Sequence, residues 1–329
     1  QNSPSNDIRN LGGFTENFNL DGFETGNQLE SLFGRLSYSY EDKYLMQFNI
    51  RRDGSSRFPS ENRYGTFPSV SMGYRLSEET FFNSSIIDDL KIRASYGVLG
   101  NQEVGDYSYL PIIVANRTGY TNYPFGLGVA SGARQISFPS VGLKWEETKS
   151  TNIGFDMRLF SSKLVLEADY YVKDVEDILF EVPIPLSSGS ASSPAVNAAS
   201  ISNKGLELKA GWREFEGEFK YDFNLTYSNN KNVVNKLGFG DEAIVGGQVH
   251  WSMNNVTRTE VGRSLGEFYM YKTDGLFQTQ EEINQYQNSQ GALIMSEAQP
   301  GDVKIVDVNG DGQLNNEDKM FMGNSLPKA

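Results

Sequence analysis

The chain of 329 residues carries 33 Gly, 21 Phe and 17 Tyr but only 38% hydrophobic residues, with no Cys and a net charge of −13. That balance excludes thiolate metal sites, thiol nucleophiles and disulfides, and it argues against nucleic acid, whose phosphates need a basic surface. Abundant Gly and aromatic residues favour strands and turns over helices, and no run reaches the ~18 apolar residues of a membrane-spanning helix.

A period of two puts apolar and polar side chains on opposite faces of a strand, and eight stretches show it. The first two are predicted over Leu32–Tyr40 and Tyr44–Ile50, joined by Glu41-Asp42-Lys43. The third covers Phe67–Leu76, after which Ser77 is placed to cap a helical turn before Glu78 and Glu79. The fourth covers Leu90–Gly97, with Leu90, Ile92, Ala94 and Tyr96 opposite Lys91, Arg93 and Ser95. The fifth runs through Ile153–Leu159, and Ser161-Ser162 turns into the sixth, Leu164–Val172. Leu206–Trp212 is the seventh. The eighth spans residues 218–228, where Phe219, Tyr221, Phe223, Leu225 and Tyr227 oppose Lys220, Asp222, Asn224, Thr226 and Ser228. Beyond Asn229 the alternation fades. Leu265–Tyr271 reads as one more strand, and Thr279 with Glu282 as the capping box of a short helix.

Connections after the first, fifth and seventh strands have a few residues; those after the second, fourth, sixth and eighth run from over a dozen to several dozen. In an up-and-down sheet alternate connections share an end, so one end is trimmed and the other ornamented, as in outer-membrane barrels. A tilted strand crosses lipid in roughly 9–11 residues, so the lack of an apolar helix does not exclude a membrane. Tyr40, Tyr44, Phe160 and Trp212 fall close to the trimmed end, where an aromatic girdle would lie. The same alternation suits a soluble β-sandwich, and the pattern alone leaves both open.

The sharpest motif runs from Asp307 to Asp318. Asp307, Asn309, Asp311 and Asn315 would offer side-chain oxygens, Asn315 directly or through water, Gln313 its backbone carbonyl, and Asp318 the closing carboxylate. With Gly312 at the sharp turn, this spacing suits a structural Ca²⁺. Such residues also favour turns without any metal. A saturated cage leaves no open position for substrate, so the loop points to pinning rather than catalysis. The single His250, beside Trp251, has no nucleophile elbow. Gly126-Leu127-Gly128 lacks dinucleotide-loop spacing, and Glu146-Glu147 and Glu281-Glu282 read as solvated charge. Tyr107, Tyr109, Tyr120, Tyr123 and Phe125 would stack either on a sugar or peptide or on their own loop. Nothing here points to an enzyme.

Several segments resemble one family, the SusC/RagA-type TonB-linked outer-membrane transporters of Bacteroidetes. They are Tyr38–Leu45 with Arg52–Phe58, Gly65–Arg75, Leu90–Gly97 with Gly100–Gln102, Trp145–Thr148, Gly262–Gln280, and Pro300–Lys304 leading into the Asp307–Asp318 loop and Gly323-Asn324. The resemblance implies an all-β fold, an antiparallel up-and-down transmembrane β-barrel of roughly 22 strands when complete. This chain would be a partial barrel of about 8–10 strands with long extracellular loops. Residues 1–30 then read as a loop or preceding barrel connection and 31–230 as barrel strands. Residues 231–329 read as an extracellular loop region with a further strand over 265–271 and the calcium-type loop over 307–318.

By the same resemblance the whole protein would sit in the Gram-negative outer membrane, in contact with its lipid, and import oligosaccharides or peptides. Its partners would be a SusD-like surface lipoprotein and TonB, the latter acting through a plug domain. Plug, TonB box and closing strands are not in the sequence, which reads as a fragment. The rivals are a soluble β-sandwich carbohydrate-binding protein with a dockerin-like calcium loop, and a passive porin.

Overall fold

The computed structural model describes residues 25–115, 122–126, 128–181, 184, 187, 193–216, 218–247 and 255–325. The long strands are β1 (Leu29–Tyr40), β2 (Tyr44–Ser55), β3 (Tyr64–Arg75) and β4 (Ile87–Asn101). After the short strands β5 (Ile113–Ala115), β6 (Asn122–Phe125), β7 (Gly128–Ser131) and β8 (Ala133–Gln135) come β9 (Glu146–Leu159), β10 (Leu164–Glu181), β11 (Ala195–Glu214) and β12 (Tyr221–Lys236). The eight long strands form one open sheet in the order β1-β2-β3-β4-β9-β10-β11-β12. Successive long strands are neighbours throughout, so the sheet is up-and-down.

The register keeps like with like. Across β1 and β2, Tyr40 faces Tyr44, Tyr38 faces Met46, Leu36 faces Phe48 and Gly34 faces Ile50. Across β11 and β12, Leu208 faces Tyr227, Ala210 faces Leu225 and Trp212 faces Phe223. A slip of one residue would carry every one of these side chains to the polar face, so the alternation fixes the register. Phe219 precedes β12 instead of lying within it, and its ring sits 5.7 Å from that of Tyr221.

The strands outrun the alternation that revealed them. β10 has 18 residues and β11 has 20, where about 9–11 suffice to cross lipid. Beyond the alternating stretch the hydrogen-bond ladder continues while the side-chain rhythm stops. β12 accordingly reaches Lys236 through Asn229, Asn230 and Asn232.

Contacts divide the chain into two compact units. The first comprises Gln1–Gly73, Ser95–Lys149 and Val175–Ala198. Its core is Phe58, Phe67, Leu143 and Trp145, flanked by Val98, Val104, Leu179 and Ala195. The Trp145 ring lies 5.1 Å from Phe58 and 5.3 Å from Phe67, and its Nε1 donates to the Arg63 carbonyl at 3.1 Å. Asn197 holds the approach to Trp145 as a strand would. Its Oδ1 accepts from the Lys144 N–H, and its Nδ2 donates to the Lys144 and Asp177 carbonyls, all at 2.8 Å. The long connection from β4 to β9 is an arm in which β5 pairs with β8 and β6 with β7, strands too short to show a period in sequence.

The second unit comprises Tyr74–Ala94, Ser150–Asp174 and Ala199–Ala329. Its turn from β9 to β10 holds Phe160, Ser161 and Ser162 all at positive φ, pinned by Ser162 N–H to Asp88 Oδ2 at 2.9 Å. Ser77 caps no helix. Arg75 occupies the N-cap of the 3-10 turn Leu76–Glu78 without a side-chain bond, while the Ser77 hydroxyl donates to Asp89 at 3.0 Å. After β12 come β13 (Ile244–Gly246), β14 (Thr257–Thr259), β15 (Glu267–Tyr271), β16 (Thr273–Leu276), α1 (Gln280–Gln285), β17 (Val303–Ile305) and β18 (Lys319–Gly323). A small sheet runs β13-β14-β15-β18, and β16 pairs with β17.

Glycines on the polar face make room for the first unit's aromatic core. A Cβ on Gly100 would lie 2.1 Å from the Phe67 ring and one on Gly65 only 2.4 Å from it, whereas a Cβ on Gly34 meets nothing nearer than 3.8 Å. Gly100→Ala is therefore expected to cost about 1–3 kcal/mol through overpacking, and Gly34→Ala close to nothing. Urea unfolding of the refolded full-length protein checks this, since equal midpoints for the two variants would contradict the packing.

Candidate functional site: the polar wall and the Asp307–Asp318 loop

One face of the long sheet is apolar and exposed. Leu32, Leu36 and Phe223 are each more than 60% exposed, a face that water would not tolerate at this extent and that lipid would. The opposite face in the second unit carries a ladder of ion pairs. Arg93 lies 2.8 Å from Asp156 and 3.0 Å from Asp169, and Lys91 lies 3.0 Å from Asp156. Arg75 is 3.3 Å from Asp89, and Lys209 is 3.1 Å from Glu167. These groups are partly exposed, so each pair contributes about 0–1 kcal/mol. Their larger effect is local neutrality. In the first unit the same face combines the Arg51–Asp53 pair, 2.7 Å apart, with amides and hydroxyls, Asn49 accepting from Arg35 at 2.8 Å and donating to Ser69 at 3.1 Å.

The Asp307–Asp318 loop is organised by its own carboxylates. Asp307 accepts from the Gly310 and Gly312 N–H groups, both at 2.7 Å, Asn309 from Asp311 N–H at 2.9 Å, and Asp311 from Gln313 N–H at 2.8 Å. Asp318 is fully buried and closes the loop, accepting from Val308 N–H at 2.9 Å and Asn315 N–H at 2.8 Å. Asn315 in turn caps Glu317 N–H at 2.8 Å. Gly312 has φ of +80°, and a Cβ there would strike Asn288 at 2.3 Å, so position and neighbour both demand glycine. Among the described residues no three His, Cys, Asp or Glu side chains converge. Any cation would depend on the Asn309 and Asn315 amides and the Gln313 carbonyl as well as the carboxylates. Each carboxylate oxygen bonded to one N–H keeps a second lone pair, so the donor set fits a hard cation.

The anchors of this loop are silent in the sequence. Tyr286, at the end of α1, donates its hydroxyl proton to the Ile305 carbonyl at 2.7 Å and accepts from Asp307 N–H at 3.0 Å. Thr279 caps α1 as expected, but Glu282 reaches back to Gln278 N–H at 2.7 Å. Asn288 accepts from Gln290 and Ala292 N–H, both at 3.0 Å. Buried Asn232 ties the segment before β15 to the wall. It accepts from Leu265 N–H at 2.8 Å and donates to Asn203 at 2.8 Å.

The other candidates separate. Glu146 accepts from Asn101 at 3.3 Å and Leu179 N–H at 3.1 Å, so it serves the scaffold. Tyr107, at φ +62°, and Tyr123 are exposed on the β4–β9 arm. His250, Trp251, Tyr120 and Leu127 lie outside the described residues, as do most of the segment around Pro183 and Pro185 and the side chain of Phe125.

The family model for the TonB dependent receptor-like β-barrel matches residues 1–292. The chain belongs to the TonB-dependent receptor β-barrel family. It is 35% identical over 268 residues to TonB-dependent receptor P39 of Formosa agariphila, covering 80% of this chain and 24% of that protein. It is 33% identical over 305 residues to TonB-dependent receptor SusC of Bacteroides thetaiotaomicron, covering 90% of this chain and 28% of that one. Among solved structures it resembles the RagAB peptide transporter, with a TM-score of 0.66 and 27% identity over 77% of this chain and 26% of that chain. The chain thus spans about a quarter of the length of these relatives. The TonB-dependent barrel is an outer-membrane structure and not an enzyme, and the family match, on an up-and-down sheet of eight long strands, sets the β-sandwich alternative aside.

The Asn315 N–H holds the Asp318 carboxyl below its usual range, with burial opposing and the Val308 N–H adding to the effect. A depressed carboxylate stabilises above its unfolded pKa and loses that contribution as pH falls through the folded value. Amide protection over residues 307–318, corrected for intrinsic exchange, should hold near neutrality and fall only below the ordinary carboxylate range. Asp318→Asn should erase that acid dependence. Asn232→Ala strands the Leu265 N–H at a cost of about 1–3 kcal/mol. Faster exchange of the amides of residues 262–266, with β1 and β2 unchanged, is the expected signature.

Proposed function

We propose that the full-length receptor imports oligosaccharides or peptides across the outer membrane with a SusD-like lipoprotein partner, energised through TonB. The observation that carries this is the match to the TonB-dependent barrel over residues 1–292, on a sheet with an apolar face and a charge-paired polar face. Its relatives include SusC and a RagAB peptide transporter, the latter supporting the peptide class. A porin would need no energy, whereas a TonB-linked importer stops when the proton gradient collapses. Deleting the gene should abolish growth on the cognate oligosaccharide or peptide as sole nutrient, and a protonophore should halt uptake in the wild type. Uptake that persists with the gradient collapsed would sink the energised reading.

We propose further that the Asp307–Asp318 loop takes a structural Ca²⁺. Asp307, Asn309, Asp311 and Asp318 would hold it by side-chain oxygens, Gln313 by its carbonyl and Asn315 directly or through water. The ion would offset the negative charge that Asp307, Asp311 and Asp318 bring to one loop. Calorimetric titration of the full-length receptor with Ca²⁺ should give one site, lost in Asp311→Ala. Chelation should lower the melting temperature of the wild type and leave that variant unmoved.

A further inference from the structure

Several cations on the second unit's polar face hand their charge to a neighbouring carboxylate, whereas Arg158 and Arg213 do not. Arg93 and Lys91 share Asp156, Arg75 holds Asp89, and Lys209 holds Glu167. Both arginine side chains are exposed, and neither makes a hydrogen bond or ion pair with a described residue. Both line one basin on the polar wall beside the trimmed turns. Buried Gly211 leaves the floor of that basin without a side chain.

Of the carboxylates lining this basin, Glu167 pairs with Lys209, while Asp222, opposite Arg213 in the ladder, accepts from the neutral Asn224 amide and makes no ion pair with either arginine. Arg158, Lys209 and Arg213 against Glu167 and Asp222 leave the basin with a net charge of +1. β9 and β11 flank β10, which puts their backbones roughly 10 Å apart. Two guanidiniums reaching inward from that separation can meet on one small anion. A guanidinium is a planar fork matched to a carboxylate, and rings of Arg or Lys confer anion selectivity on pores. In a chain of net charge −13, two uncommitted arginines in one basin form a local positive site.

We propose that Arg158 and Arg213 form a carboxylate-binding subsite on the inner wall of the barrel. The carboxylate comes either from an acidic solute in transit, which rests on the import reading above, or from the receptor's own polypeptide beyond this segment.

The test uses the full-length receptor in detergent micelles, wild type against Arg158→Ala/Arg213→Ala and the isosteric Arg158→Gln/Arg213→Gln. Because both side chains are exposed, each variant should assemble, as heat-resistant gel migration will show. Trigalacturonate and a Glu-rich hexapeptide are the probes, with maltotriose as the neutral control. For a solute carboxylate, at least one acidic probe binds the wild type and loses tenfold or more in both variants, while maltotriose is unaffected. For an internal carboxylate, neither acidic probe distinguishes the proteins, but both variants show faster hydrogen exchange in a segment outside residues 25–325. Variants that match the wild type in probe binding and in exchange overturn the subsite. Loss of protonophore-sensitive uptake touches only the import reading, since the internal arm is independent of it.

Discussion

The constraint on which the structure depends is that lipid cannot hydrogen-bond a peptide group. Each backbone N–H and C=O at membrane depth must be satisfied inside the protein, and a lateral ladder of strands is one of two ways to do it. Once the ladder is obligatory, side chains alternate by geometry, and chemistry decides which set meets lipid. The pairs Leu36/Phe48, Trp212/Phe223 and Leu208/Tyr227 are consequences of that rule. So are the ion pairs behind them, because a wall that is apolar outside must be polar inside if it encloses water.

Ladders end, and the chain must then satisfy its backbone differently. Asn is the residue this protein uses. Its side chain carries one acceptor and two donors without charge, so it can substitute for a peptide group where no strand arrives. Asn197 pairs with both backbone groups of Lys144, Asn232 receives Leu265 N–H, and Asn288 receives two N–H groups of the turn beside Gly312. An aspartate at Asn197 or Asn232 could accept but not donate, and at Asn232 it would bring a charge into a buried position at considerable cost.

The wall was legible in the sequence because its signal is periodic and repeated. The eight long strands, the short turns at Glu41–Lys43 and Ser161-Ser162, the strand near Leu265–Tyr271 and the cap at Thr279 can all be read from residue type alone. Strand ends beyond the lipid band could not, because there the ladder persists without alternation. The core of Phe58, Phe67, Leu143 and Trp145 was equally hidden, since its members come from separate connections and strands. Its one local trace is the pair of glycines, Gly65 and Gly100, on which Phe67 lies. At the loop, the spacing of the ligand-type residues was plain, whereas Tyr286 and Asn288 act across a turn that no short motif spans. Ser77 misled because a Ser before two Glu residues suits a cap, but a nearby Asp89 offers its hydroxyl a charged acceptor instead.

The same logic explains why the loop carries so many carboxylates in a chain already at −13. A tight turn leaves its N–H groups pointing inward with no ladder to join, and a carboxylate is the strongest acceptor available to collect them. Asp307 gathers two such groups, and buried Asp318 gathers two more. Each bond favours the ionised form, so the turn is built from charges that the backbone itself stabilises. Concentrating them has a cost in mutual repulsion, which grows as the loop tightens. An arrangement that gathers backbone donors around anionic side chains is stable alone only if the donors suffice. The proposed divalent ion would relieve whatever repulsion they leave.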